Sequence, residues 1–193
     1  MNEYENLLHS VTHLTLQINA RLQPVHRGEY FEDPIDDALR GAQAGEVDGA
    51  GTMQFENGEV QFCDIEVSVA GNPHRALEVL IDSATQLGVP KGSQIHLEPS
   101  EETIPVGITE GLAVYLNGTD LPSDVYRTCN SDFVLAEFDR LLDGIGQVLS
   151  WWQGPKETAF YMYGSSFTEM RSRVQEFLDT YPLCKKSRVE RIA

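Results

Sequence analysis

The segment VDGAGTMQFENGEVQFCDIEVSV, residues 47–69, consists of two extended runs on either side of Asn57-Gly58. Asparagine followed by glycine is the dipeptide best suited to the positive φ angles of a two-residue hairpin turn. Two extended runs that flank such a dipeptide indicate an antiparallel pair of strands. The segment therefore predicts a β-hairpin closed by a two-residue turn.

A strand and a helix are predicted before this hairpin. Apolar and polar residues alternate from Leu14 to Leu22, which is the period of a strand with one buried face. A polar loop follows, and Asp33-Pro34 then places a capping residue before a proline at the first helical position. Apolar residues at helical spacing after Pro34 predict a short amphipathic helix.

A second helix and a last strand are predicted after the hairpin. Asn72-Pro73 again places a capping residue before a proline at the first helical position, and Gly88 ends the apolar stripe of this helix. Residues 93–98 alternate again as a strand. The order βαββαβ is that of the ferredoxin-like fold, an α+β fold in which two helices cover one face of a four-stranded antiparallel sheet. The other face of the sheet is then open.

The same order recurs after a break at residues 99–105. Residues 112–116 predict a strand, residues 131–143 a helix, and two strands flank Gly154-Pro155. A capping box at residues 166–169 opens another helix, and residues 187–193 predict the last strand. Equivalent residues of the two copies lie at a nearly constant spacing, which indicates a tandem duplication. We therefore predict two ferredoxin-like units, residues 1–104 and 105–193.

The open sheet faces of the two copies differ in chemistry. Every position predicted on the first open face is polar, and four of them are candidate binding residues: Asp64, Glu66, His96 and Glu98. The second face is aromatic, and its candidate binding residues are Tyr115, Trp151, Trp152, Tyr161 and Tyr163. An aromatic sheet face predicts either packing against the first copy or another chain, or a recognition surface. A homodimer through this face is one form of the packing interpretation.

Aromatic residues on these strands are also where RNA-recognition domains of this fold stack bases. Thirty acidic residues against 14 basic ones give this chain a formal charge of −16, which repels phosphate backbones and anionic membranes. We therefore expect no nucleic acid and no membrane as partner, and a basic protein fits better. Many soluble proteins carry such a charge for solubility alone.

The candidate residues of the first face also suggest a metal site, since Asp64, Glu66, His96 and Glu98 offer carboxylate and imidazole ligands. An exposed lattice of ion pairs explains the same residues without a metal. We expect no metal and no cofactor.

Two loops contain residue types that can bind anions or catalyse proton transfer. His26, Arg27 and Glu29 lie in the polar loop after the first strand and could combine a general base with an anion clamp. Lysine and serine recur before the last strand of each copy, in the second as Lys185 and Ser187. They either contact an anion or compensate a helix dipole.

Residues 1–6, MNEYEN, show no basic region followed by an apolar stretch, and no later segment is long and apolar enough to span a membrane. The three cysteines, Cys63, Cys129 and Cys184, are widely spaced and form no metal-ligand motif. Both observations lead us to expect a cytoplasmic protein with reduced thiols.

Two segments resemble those of uncharacterised bacterial proteins of this length, namely Glu110-Gly111-Leu112-Ala113 through Leu121-Pro122, and Trp152-Gln153-Gly154-Pro155. This likeness carries no assigned activity and transfers no functional residue. The chain is small and acidic and has no catalytic motif. This general profile is similar to that of bacterial toxin-immunity proteins, which occlude the active site of a cognate toxin. The resemblance implies a non-catalytic protein that inhibits a toxin by direct binding.

Two further hypotheses belong to other functional classes. Tandem ferredoxin-like units are also typical of regulatory modules that bind a small ligand between copies. A cytosolic enzyme that uses the loop of His26, Arg27 and Glu29 is the third hypothesis, and it requires turnover to depend on His26.

Overall fold

The computed structural model describes residues 11–193, and residues 1–10, which include the segment examined for a secretion signal, lie outside the described residues. The chain divides into two units. The first comprises the described residues up to Gln54 together with Val60–Ile108. The second comprises Phe55–Glu59 and Thr109–Ala193. The short segment Phe55–Glu59 thus belongs to the second unit, although it connects two strands of the first.

The first unit is an α+β unit built on a five-stranded antiparallel sheet of order β2-β3-β1-β4-β5. The first four strands have the ferredoxin-like order, which confirms the predicted fold. Its elements are β1 (His13–Ile18), α1 (Pro24–Arg27), a π-helical turn (Gly28–Glu32), α2 (Asp33–Gly41), β2 (Gly45–Gln54), β3 (Val60–Val69), α3 (Pro73–Gln86), β4 (Ser93–Glu98) and β5 (Thr103–Val106).

The second unit repeats this arrangement with a four-stranded antiparallel sheet of order β7-β8-β6-β9. The repetition of the same strand order confirms two tandem ferredoxin-like units. Its elements are β6 (Glu110–Asn117), α4 (Ser123–Thr128), α5 (Ser131–Leu142), β7 (Gly146–Gln153), β8 (Glu157–Gly164), α6 (Phe167–Thr180), a 3₁₀ turn (Pro182–Cys184) and β9 (Arg188–Arg191).

Each core lies between the sheet and its helices, as the alternation of the strands predicts. In the second unit, Val114 of β6 and Phe160 of β8 pack with Phe138 of α5 and Val174 of α6. Burying each such side chain contributes about 1.5–3 kcal/mol, so the core is the main stabilising feature of the unit. Two helices, α3 and α6, begin at the predicted capping residues. The Asn72 side chain accepts a hydrogen bond from the His74 N–H at 3.0 Å, and Ser166 accepts one from Glu169 at 3.3 Å.

The predicted polar loop before Asp33 is wrong, because residues 24–41 form one nearly continuous helical run. The run begins at Pro24, whose missing N–H costs nothing at the first position of a helix. Pro34 lies inside the run and cannot donate to the carbonyl one turn earlier. A π-helical turn at Gly28–Glu32 precedes it, which is one of the ways in which a helix accommodates such an interruption.

Three local predictions also differ from the structure. The hairpin turn is longer than two residues: Gly58 donates to the Phe55 carbonyl at 2.9 Å, and Gly58 has a positive φ angle whereas Asn57 does not. The predicted break at residues 99–105 contains most of β5, which pairs with β4. Helix α4 was not predicted, because its six residues carry too little apolar periodicity.

Candidate binding surfaces

The open face of the first sheet carries the predicted polar residues in aligned rows. The register places Gln17 of β1 between Asp64 of β3 and Gln94 of β4. Gln94 Nε2 donates to Gln17 Oε1 at 3.2 Å, and Gln17 Nε2 donates to Asp64 Oδ1 at 3.3 Å. This chain of amide hydrogen bonds ends on a carboxylate, so each amide dipole points toward the negative charge and supports it.

A second row on the same face contains Glu66, Thr15 and His96, and Glu98 lies at its edge. The Thr15 hydroxyl donates to Glu98 Oε1 at 3.1 Å. Within residues 11–193, the carboxylates of Asp64, Glu66 and Glu98 form no ion pair, so the expected lattice of ion pairs is not found there. Asp64 and Glu98 instead accept hydrogen bonds from neutral donors, Gln17 and Thr15.

Glycine residues of β2 leave room for these carboxylates. Gly49 lies opposite Glu66 and Gly51 opposite Asp64 in the sheet. A Cβ atom at Gly49 would lie 2.5 Å from Glu66 Oε2, and the carboxylate would have to move. The edge strand thus adds no side chain at these two positions, and the acidic groups remain accessible: Glu66 and Glu98 are exposed and Asp64 is half-buried.

The aromatic face of the second sheet is closed rather than open. Tyr115 and Tyr161 are 1% exposed and Tyr163 is 3% exposed. Of the two interpretations of this face, the burial of the three rings favours packing over an accessible recognition surface. Tyr115 and Tyr161 pack edge to face, with ring centroids 6.4 Å apart and planes at 76°.

A buried carboxylate joins the two tyrosines. Glu59 is 6% exposed, and its Oε1 atom accepts hydrogen bonds from Tyr115 Oη at 2.6 Å and Tyr161 Oη at 2.9 Å. Its backbone N–H donates to Asn57 Oδ1 at 3.0 Å. A buried carboxylate is costly unless hydrogen bonds satisfy it, and the two phenols meet that requirement. Glu59 thus links the two buried tyrosines through one carboxylate oxygen.

Arg188 of β9 lies over the Tyr115 ring. Its guanidinium carbon lies 3.5 Å from the ring centroid, which is a cation–π contact. Glu157 holds this guanidinium with hydrogen bonds of 3.2 and 2.9 Å, and Glu190 also pairs with it. The pKa of Arg188 is raised, mainly by its hydrogen bonds to Glu157 and further by its pairing with Glu190. These ion pairs hold the guanidinium in position over the aromatic ring.

The two tryptophans lie on opposite faces of the second sheet. Trp152 pairs with Ala159 and shares the tyrosine face, whereas Trp151 pairs with Phe160 and points to the helices. Trp151 is 39% exposed and lines a cavity of about 160 Å³ with Leu135 of α5. The sequence could not distinguish the two rings, because a bulge between Val148 and Ser150 shifts the alternation of β7.

The cluster of His26, Arg27 and Glu29 is helical, and Arg27 points into the fold. Its guanidinium pairs with Glu32, and Nη1 donates to the Gly51 carbonyl at 2.8 Å and also to Thr52. A buried guanidinium with these contacts joins the helical run to β2. Its geometry is that of a structural bridge rather than of an anion clamp in a loop.

No group of three or more histidine, cysteine or acidic side chains within residues 11–193 has an arrangement that could hold a metal ion. No helix in the described part of the chain has both the length and the apolar character needed to cross a membrane.

The role of Glu59 could not be predicted from the sequence. An acidic residue after a glycine turn is typical of exposed loops and carries no local signal of burial.

Comparison with known proteins gives no family for this chain. No protein-family model and no curated protein matches it. Solved structures show a weak likeness with a TM-score of 0.26 in each of three cases. An unknown protein from Galdieria sulphuraria is 12% identical, with 94% of this chain and 98% of that chain covered. The first two RRM domains of a yeast poly(U)-binding protein are 10% identical, with coverages of 93% and 99%. The regulatory subunit of aspartate kinase from Thermus flavus is 14% identical, with coverages of 87% and 94%. These values carry no argument about the function of this chain.

Proposed function

We propose that this chain is a non-catalytic binding protein that engages a basic protein partner through the open face of its first sheet. The observation that carries this proposal is the charge of that sheet. None of its five strands contains a lysine or an arginine, whereas its open face carries Asp64, Glu66 and Glu98. Carboxylates without a cationic neighbour on the same sheet are available for cations of a partner.

The electrostatics of the whole chain support the same proposal. The formal charge of −16 steers a basic partner toward the protein and raises the association rate. The hydrogen-bonded rows of the face hold two of the carboxylates in fixed positions before the partner arrives, which lowers the entropic cost of binding. The functional class that matches these features is that of the toxin-immunity proteins, and the basic partner would then be the toxin.

The test compares two variants of equal net charge. Asp64→Asn, Glu66→Gln and Glu98→Gln together neutralise the proposed face, and Asp82→Asn, Asp143→Asn and Glu176→Gln neutralise three exposed acids elsewhere. Immobilised wild-type and control chains are expected to retain the same basic protein from cells that produce this chain naturally. The face variant should bind that protein at least about tenfold more weakly, and added salt should slow association to the wild type.

The proposal fails if the face variant retains the partner as well as the control does, because another surface then binds it. It also fails if both variants lose the partner equally, since net charge rather than this face is then responsible. The immunity class requires in addition that the captured protein be toxic and that one equivalent of this chain abolish its activity without turnover.

A further inference from the structure

A groove lined by positively charged side chains lies in the second unit, between α6 and the turn that leads into β9. Its volume is about 350 Å³. Its lining includes the polar residues Arg171, Gln175, Lys185, Lys186 and Ser187 and the less polar Leu178, Cys184 and Val189. Three cations therefore lie around one groove of a chain that has only 14 basic residues against 30 acidic ones.

These three cations are not neutralised by the described part of the chain. Most arginines pair with a carboxylate, as Arg140 does with Glu137, whereas Arg171 forms no ion pair with any of residues 11–193. Lys185 Nζ donates to the Asp179 carbonyl at 3.0 Å, and Lys186 Nζ donates to the Asp120 carbonyl at 2.9 Å. Backbone carbonyls position the two ammonium groups without cancelling their charge.

One acidic side chain, Asp179, also lines the groove. Its Oδ1 atom accepts a hydrogen bond from Gln175 Nε2 at 3.0 Å, so a neutral group occupies that oxygen. Three cations against one carboxylate leave the groove with a net positive charge, in contrast to the rest of the chain.

The backbone at Lys186 is a second, independent observation. Lys186 has a φ angle of 61°, which lies in the left-handed region that residues other than glycine rarely adopt. The equivalent position in the first unit is Gly92, with a φ angle of 85°. Glycine takes this conformation without strain, so the second unit keeps a lysine where the fold itself favours glycine.

We infer that this groove binds a small phosphorylated molecule. A guanidinium and two ammonium groups are the donors that proteins use for phosphate oxygens, since they combine charge with several N–H groups. The groove is larger than a phosphate ion and matches the lower range of small-molecule sites. The lining residues Leu178, Cys184 and Val189 would contact the organic part of the ligand. This site is separate from the proposed acidic face and does not depend on it.

The test is a titration of the full-length chain with inorganic pyrophosphate, followed by backbone amide NMR shifts. We expect saturable shifts confined to residues 171–189. Arg171→Gln and Lys185→Gln should each weaken pyrophosphate binding about tenfold, because each substitution removes one charge-assisted hydrogen bond. The matched controls are Arg127→Gln and Lys156→Gln, which remove the same charge outside the groove and should leave the affinity unchanged.

A third variant separates binding from folding. Lys186→Gly removes a cation but supplies the residue that the backbone favours, so its thermal midpoint should not fall while pyrophosphate binds more weakly. The inference is overturned if pyrophosphate causes no saturable shift up to about 10 mM, if the controls lose as much affinity as the groove variants, or if Lys186→Gly binds as tightly as the wild type. Citrate serves as the carboxylate probe, and tighter binding of citrate than of pyrophosphate would overturn the assignment to phosphate.

Discussion

The phenol oxygen of Tyr161 lies 2.9 Å from Oε1 of Glu59, a residue 102 positions earlier in the chain. The same carboxylate oxygen accepts a hydrogen bond from Tyr115 at 2.6 Å. Glu59 follows the turn between two strands of the first sheet, yet it belongs to the second unit. A single acidic side chain therefore accepts hydrogen bonds from two buried tyrosines of the second sheet.

Replacing Glu59 is expected to destabilise the second unit. Glu59→Ala leaves two buried phenol groups without their shared acceptor, at a cost of about 1–3 kcal/mol. Glu59→Gln retains an acceptor oxygen and should cost less. Both tryptophans of the chain lie in the second unit, so their fluorescence during urea unfolding measures this unit alone. Glu56→Ala, which removes an exposed acid near the same turn, is the control. An equal effect of both alanine variants would contradict the role of Glu59.

Arg27 is expected to contribute to the stability of the first unit. Arg27→Met removes the bridge from the helical run to Gly51 and leaves Glu32 without its cation, at a cost of about 2 kcal/mol. Arg75→Met, which breaks an exposed pair on α3, should cost no more than about 0.5 kcal/mol. Hydrogen exchange of the β2 and β3 amides measures the difference, and equal protection in both variants would show that Arg27 is not a structural bridge.

The second unit is expected to lose stability at alkaline pH because of Cys184. Burial raises the pKa of this thiol from 9.0 to about 12. The folded state thus keeps the thiol protonated while the unfolded chain ionises it. The stability contribution is complete below pH 9 and declines toward pH 12, by about 1.4 kcal/mol per pH unit. Urea unfolding of wild type and Cys184→Ala across this range checks the prediction, and parallel pH profiles would contradict it.

The three thiols should differ in their reactivity with a disulfide reagent. Cys129 is half-buried, whereas Cys63 and Cys184 are buried. Burial also raises the pKa of Cys63. At about pH 8 the reagent should therefore modify Cys129 first, and the other two only as the fold opens locally. Cys129→Ala should remove the fast phase, and a fast phase that persists in this variant would show that a buried thiol is accessible.

The order of the elements was predictable because it depends on local patterns. Alternation along β1, the caps Asn72 and Ser166, and the stripes of the helices all act within a few residues. The helical run at residues 24–32 escaped prediction, since its buried contacts are made by Arg27 and Phe31, which do not form an apolar stripe. Alternation also gave the polar open face of the first sheet correctly, with Asp64 and Glu66 on one side of β3.

What the sequence by itself determined is therefore the two ferredoxin-like units and the chemistry of each sheet face, because side-chain period and capping are properties of neighbouring residues. Only the tertiary structure decided which face is closed and where charge collects. Glu59 reaches Tyr161, and Arg171 shares a groove with Lys185, through contacts that no local pattern encodes. The physical reason is that the burial of a carboxylate and the grouping of cations depend on which distant residues the fold brings within hydrogen-bonding distance.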